Sequence, residues 1–284
     1  MKGEKKKKKS VRKTSVKSSV KKDRFNYFKF SLDYLKLSKN YIYLAMALFF
    51  VSAILGFVFS EQLGFFDSII KDLLDKTQGL NTFEIIIFIF GNNVLSALNA
   101  VVLGLFLGIF PLVSIITNGA LLGYVFDLVA TNAGPLEFWR ILPHGIFELP
   151  AIFIAVGVGT KMGFALVGNY FRHYWKDNRL FIWLPFGIGV VFGILSVYSV
   201  FAGLIGDLGL PYEIIYPLAF LSEMIFVFVI FIVFSMIFNK DLRRVQSKSL
   251  AFNVKGSLLV FLNFVVPLLI VAAIIEGILI GLAI

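Results

Sequence analysis

FEIIIFIFGNNVLSALNAVVLGLFLGIF, residues 83–110, decides the class of this chain. Its only ionisable side chain is Glu84, at one end. A helix needs about 20 apolar residues to cross the ~30 Å hydrocarbon core of a bilayer, and this run exceeds that. Comparable runs lie on both sides of it. Tyr41–Phe59 precedes it, and Leu112–Ala130 follows after a short break at Gly108-Ile109-Phe110-Pro111. Phe138–Gly159 comes next, interrupted by Pro143 and Pro150, then Phe181–Ile205, Tyr212–Phe238 and Ser257–Ala283. Seven spans are therefore expected, in an all-α polytopic transmembrane bundle with broken or kinked helices. Residues 25–40 and 62–80 alternate apolar and charged groups. They read as amphipathic helices lying at the membrane surface.

Composition agrees. The chain has 284 residues, 58% of them hydrophobic and 33 of them Phe. Soluble domains run near ~45–50% apolar. Cysteine is absent and histidine occurs twice, as His144 and His173. Disulfides, thiol nucleophiles and multi-His metal sites within one chain are thereby excluded, and no cofactor is expected.

The formal charge of +10 belongs to one segment. Residues 1–24 carry twelve Lys/Arg against Glu4 and Asp23, and the remaining residues balance. Such a segment, with no apolar face to bury, reads as a disordered polybasic tail ahead of a single transmembrane domain over 25–284. Beside a span it is expected to bind anionic lipid, at about 1 kcal/mol per basic residue near the surface. It lacks the interleaved aromatics of a single-stranded nucleic-acid binder, so no nucleic-acid partner is expected. Basic residues also gather at 161–179 and 239–256, which read as loops on the same side as the tail. The positive-inside rule puts the N-terminus and these loops in the cytoplasm, and 60–82 and the C-terminus outside. A multi-pass plasma-membrane location follows.

Ionisable groups inside the spans are few. They are Glu148, Glu223 and Glu276, with His144 one helical turn before Glu148. A charge at mid-membrane costs at least ~2.5–3.5 kcal/mol, so these residues are expected to face protein or a cavity. At ~1.5 Å per residue, Glu148 lies about 15 Å and Glu276 about 10 Å from the outer end of their spans. Asn92 and Asn93 fall at about 14–15 Å, Glu223 at about 16 Å and Asn118 at about 18 Å. Six groups thus reach similar depths, which allows one buried polar site with His144 at its outer edge. His144 and Glu148, at i and i+4, share a helix face. Pro143 suits a first helical turn, and Pro150 removes a backbone donor, so this helix should be short or kinked. The site has three readings: hydrogen-bonded glue between helices, a binding or transport site, or a catalytic one. One His with carboxylates is a poor zinc set. No serine adjoins His144, and no catalytic residue is assigned. His173 reads as a solvated loop residue, and Asp127 and Glu84 as interfacial groups.

PHGIFELPAIFIAVGVG (Pro143–Gly159), with GNNVLSALNA (Gly91–Ala100) and NGALLG (Asn118–Gly123), resembles the stage II sporulation protein M family of integral membrane proteins. PLLIVAAIIEG (Pro267–Gly277) looks like that family's closing helix, including its acid, here Glu276. The resemblance extends over most of residues 30–284. The lysine tail and the spans around 180–238 depart from the shorter sporulation proteins and look more like members from archaea and non-sporulating bacteria. It implies a non-enzymatic membrane scaffold with protein partners in the membrane, and in spore formers a part in septal wall remodelling and engulfment. A homo-oligomer fits the same picture. A transporter or channel built on the His/Glu/Asn site is the alternative, and an intramembrane hydrolase a third.

A peptide of residues 1–24 should bind anionic vesicles, and raising the salt should release it, because exposed charges are screened within ~8 Å at physiological ionic strength. Co-sedimentation across a salt series checks this, and salt-independent binding would contradict it.

Overall fold

A computed structural model describes residues 26–132, 134, 142–177, 179–199 and 212–283, with the backbone alone at 142–144, 176–177, 186, 192–199, 212–216, 218–219 and 277–283. The polybasic tail lies outside the described residues. Every regular element among them is helical: α1 (Tyr27–Val58), α2 (Phe66–Thr77), α3 (Thr82–Leu103), α4 (Ile109–Asn132), α5 (Leu142–Asp177), α6 (Leu180–Ser199), α7 (Tyr212–Phe238), α8 (Lys240–Val260) and α9 (Val266–Ala283). A 3-10 turn at Ser60–Leu63 leads into α2, and a π turn at Phe261–Val265 joins α8 to α9 without a break.

Six of the described helical stretches are long and apolar enough to span a bilayer. The seventh expected span, Phe181–Ile205, corresponds to α6, whose described apolar stretch is the shorter Leu180–Val191. The molecule is an all-α polytopic bundle.

Several expected boundaries are wrong in the same way. Residues 27–40 are the first half of the 32-residue α1, not a separate surface helix. Basic segments 161–177 and 240–256 are not loops but extensions of the helices on which they lie. The physical reason is length. At 1.5 Å per residue α1 runs about 48 Å and the 36-residue α5 about 54 Å, well beyond the hydrocarbon core. The overhangs carry the charges, and a helix tolerates Lys and Arg as readily as a loop does. α5 is also continuous through Pro150, not short.

Helix ends are capped where the sequence supplies the groups. Asn26 caps α1 by accepting from the Lys29 N–H (2.9 Å). Asn81 and Glu84 form a reciprocal capping box at α3, which accounts for Glu84. Asn239 caps α8 through the Asp241 and Leu242 N–H groups.

The bundle closes on glycine. The turn between α3 and α4 occupies residues 104–108, slightly earlier than expected, and Pro111 falls in the first turn of α4. Leu107 and Gly108 both have positive φ, 59° and 73°. This left-handed pair reverses the chain inside the bundle, and for Leu107 the conformation costs roughly 1–2 kcal/mol. It is seated directly on α5. A Cβ on Gly163 would overlap the Gly108 nitrogen, and one on Gly104 would overlap the Gly159 carbonyl. α4 lies against α1 in the same manner, through Gly119 and Gly123 on Phe49 and Ala53.

Gly163→Val should therefore destabilise the fold by more than the ~1–3 kcal/mol usual for overpacking, because backbone would have to move. Gly168→Ala, where an added Cβ meets nothing within 4 Å, should be neutral or stabilising by up to about 1 kcal/mol. Thermal unfolding in detergent compares the two.

Candidate functional site: an acidic cavity inside the bundle

α3 and α4 are about 33 and 36 Å long, the scale of the membrane itself. Their midpoints carry Asn92, Asn93 and Asn118. The start of α5 brings Glu148 to the same level, and the last half of α9 brings Glu276. These five residues line one cavity of about 810 Å³, but it is not the buried site expected: Asn92 and Asn118 are exposed and Asn93, Glu148 and Glu276 are half-buried, because the cavity opens beside α2. Its volume lies in the ~300–1,000 Å³ range of small-molecule sites.

Most of the wall is apolar, with Phe49 from α1, Phe88 from α3 and Leu122 and Phe126 from α4. α2 forms the outer side through Ile70, Leu73, Leu74 and Thr77. α2 is attached chiefly at its start. Phe66 is buried there, and the Tyr124 hydroxyl donates to the Asp67 carboxylate at 2.7 Å. Beyond that anchor the helix is open to the outside, with Leu74 63% exposed even though it lines the cavity.

The polar groups of the cavity are not tied to one another. Asn118 donates back to the Ser114 carbonyl of its own helix (2.8 Å). The side chains of Glu148, Glu276, Asn92 and Asn93 have no hydrogen-bond or salt-bridge partner among the described residues. No Lys, Arg or His is among the described lining residues. Among the described residues no three His, Cys, Asp or Glu side chains come together in a metal-binding group. Pro150 has no N–H, so the carbonyl of Ile146, another lining residue, lacks its regular i+4 donor.

Of the remaining two expected members, His144 falls among the residues whose side chains are not described and Glu223 stands apart from this set. The backbone of His144 lies in the first turn of α5, beside Pro143, and its side chain is outside the described residues. Glu223 is on α7, which packs chiefly against α6 and contributes no described residue to the cavity wall. A shared depth does not bring it to the same place.

A second polar cluster, at the opposite end, escaped the sequence reading. The Tyr34 hydroxyl donates to Asn253 Oδ1 at 2.9 Å and lies 3.2 Å from Ser257 Oγ. Gln246, fully buried, donates to the Leu166 carbonyl at 2.8 Å and accepts from Asn169 at 3.3 Å. Lys161 Nζ sits 3.5 Å from the centre of the Tyr34 ring, a cation–π contact. Asn263, in the π turn, donates to Ser31 Oγ at 3.1 Å. His173, half-buried on α5, contacts Asn239 at 2.6 Å and so is not a free loop residue. These groups tie together the overhangs of α1, α5 and α8. The available signal was the helical spacing of Gln246 and Asn253, in a segment read as a loop, with Ser257, the first residue of the expected last span.

The family model for stage II sporulation protein M matches residues 45–206, more than half of the chain. The match includes Asn92, Asn93, Asn118 and Glu148 and takes in α6, one of the spans expected to depart from the family. Glu223 and Glu276 lie beyond it. Comparison with curated proteins and with solved structures returned no match.

Proposed function

Because the chain belongs to the stage II sporulation protein M family and has the spans of an integral membrane protein, we propose that it is a non-enzymatic membrane protein whose working part is the acidic cavity, a binding and passage site for a small solute. One observation carries this reading. Glu148 and Glu276, on separate helices, face the same cavity of about 810 Å³ without a partner among the described residues.

Glue would look different. Polar groups that hold membrane helices together pair across the interface, for about 0.6–2 kcal/mol each. The Tyr34–Asn253 and Gln246–Asn169 contacts do so. Among the described residues the carboxylates of the cavity do not. An ionisable group kept within a membrane at such cost, with room beside it, supports a ligand or ion pathway.

Family membership favours a second reading, a scaffold that holds other membrane proteins. On that reading the cavity is incidental, and Glu148→Gln and Glu276→Gln leave function intact.

The proposed orientation places the tail and the α5/α8 overhangs in the cytoplasm of a plasma-membrane protein. Arg172, Arg179, Arg243, Arg244 and Lys248 at that end support it through the positive-inside rule. The cavity and α2 then lie toward the outer face.

The chain has no cysteine, so single cysteines report cleanly. In intact cells a cysteine at position 75 should react with a membrane-impermeant maleimide and one at position 244 should not. The reverse pattern would invert the orientation.

Asn118→Cys should react with small water-soluble thiosulfonates, because the cavity is open along α2. Gly145→Leu should slow that reaction severalfold. Gly145 lines the cavity, and an added Cβ there meets only Leu149, at 3.6 Å, so the larger side chain narrows the space without displacing backbone. An unreactive cysteine in a folded protein would overturn the cavity as a site.

A further inference from the structure

We infer that the ligand of this cavity is a lipophilic organic cation, an amine or quaternary ammonium on an apolar body, reaching it from the membrane interface along α2. This rests on the cavity being a ligand site.

The charge of the ligand follows from the lining. The cavity offers two carboxylates, three carboxamides, the Thr77 hydroxyl and the underused Ile146 carbonyl. These are acceptors or can turn an acceptor inward. No described lining residue is a cation. An anion would meet Glu148 and Glu276 with nothing to balance them. An organic cation would neutralise one of the acids and use the carbonyl oxygens as well.

The body of the ligand follows from the rest of the wall. Phe49, Phe88 and Phe126 line the cavity from three different helices. Aromatic faces attract cations, most strongly where water is excluded, and they recognise quaternary ammonium groups in particular. The leucine and isoleucine side chains between them suit hydrocarbon, not a sugar or a peptide backbone. A cavity of about 810 Å³ also far exceeds a bare metal or ammonium ion, so the occupant is molecular.

The route follows from α2. Its N-terminal end is fixed by Phe66 and by the Tyr124–Asp67 bond. Leu73 and Leu74 belong to the cavity wall and are also exposed on the outside. The mouth therefore runs beside an amphipathic helix, at the level where amphiphiles collect.

Two ions of matched shape and opposite charge test the proposal: tetraphenylphosphonium and tetraphenylborate. Binding of each is measured to the full chain in nanodiscs of zwitterionic lipid, with empty nanodiscs as background. The phosphonium should bind saturably above background. It should bind at least tenfold more weakly to the Glu148→Gln/Glu276→Gln variant, and tetraphenylborate should show no saturable component. Gln keeps the hydrogen-bonding capacity of Glu, and a melting curve matching the wild type confirms that the variant is folded. Single Glu148→Gln and Glu276→Gln variants stand in if the double variant is not. Equal binding of both ions, weakened alike by Gly145→Leu, would overturn the cationic class while leaving the cavity a ligand site. No saturable binding of either ion, with Asn118→Cys still reactive, would overturn the lipophilic-cation ligand. An unreactive Asn118→Cys would remove the underlying site itself.

Discussion

Backbone meeting backbone at glycine is the constraint on which the rest of this molecule depends. Lipid tails are as apolar as leucine, so water supplies no drive to press these helices together; packing and polar contacts must do so. Gly104, Gly108, Gly159 and Gly163 let the α3–α4 turn rest on α5 with no side chain between. Gly56, Gly119 and Gly123 do the same for α1 and α4. The α1–α4 contacts at Gly119 and Gly123 fall at the level of the cavity, between its lining residues Asn118, Leu121, Leu122 and Val125. The cavity itself is lined by the asparagines of α3 and α4 and the acids of α5 and α9. Tight backbone contact and open space thus occupy different faces of the same helix α4.

The two ends treat polarity differently. At the α5/α8 overhang the buried Tyr34, Asn169, Gln246 and Asn253 pair with one another or with backbone, while Thr160 Oγ1 and Lys161 Nζ have no hydrogen bond among the described residues and Lys161 rests on an aromatic face instead. Toward α2 the carboxylates are left open to the cavity. One end is built to stay in a single arrangement. The other retains unspent hydrogen-bonding capacity, the condition for exchanging water for a ligand.

Much of this was legible in the sequence because a membrane removes choices. Unpaired backbone in hydrocarbon is so costly that an apolar run of 20 residues must be helical. Residue depth can then be counted along it. Depth grouped Asn92, Asn93, Asn118, Glu148 and Glu276, which line one cavity. It also placed Glu223 there, wrongly as a neighbour, because depth is one coordinate and the angle around the bundle is another. That angle is set by packing, and nothing in a hydrophobic run states which face meets which helix. The overhangs were misread for a related reason. Lys and Arg mark the end of the hydrocarbon, not the end of the helix. α2 was recognised as amphipathic, but its apolar stripe fits a membrane surface and a cavity wall equally well.

The hydrogen bond between Tyr34 and Asn253 joins residues 219 positions apart. Ribosomes add about 5–20 residues per second, so the Tyr34 hydroxyl waits roughly 11–44 s before Asn253 exists. During that interval Tyr34 and Ser38 lie near the membrane boundary with only water, lipid headgroups or their own helix to satisfy them. Ser31 and Ser38 already bond back to carbonyls of α1, at Phe28 and Tyr34, which keeps them paired while the rest of the chain is made. α1 can pack on α4 and α5 as soon as those helices are made, whereas its bonds to Asn253 and Ser257 close only when α8 has been synthesised.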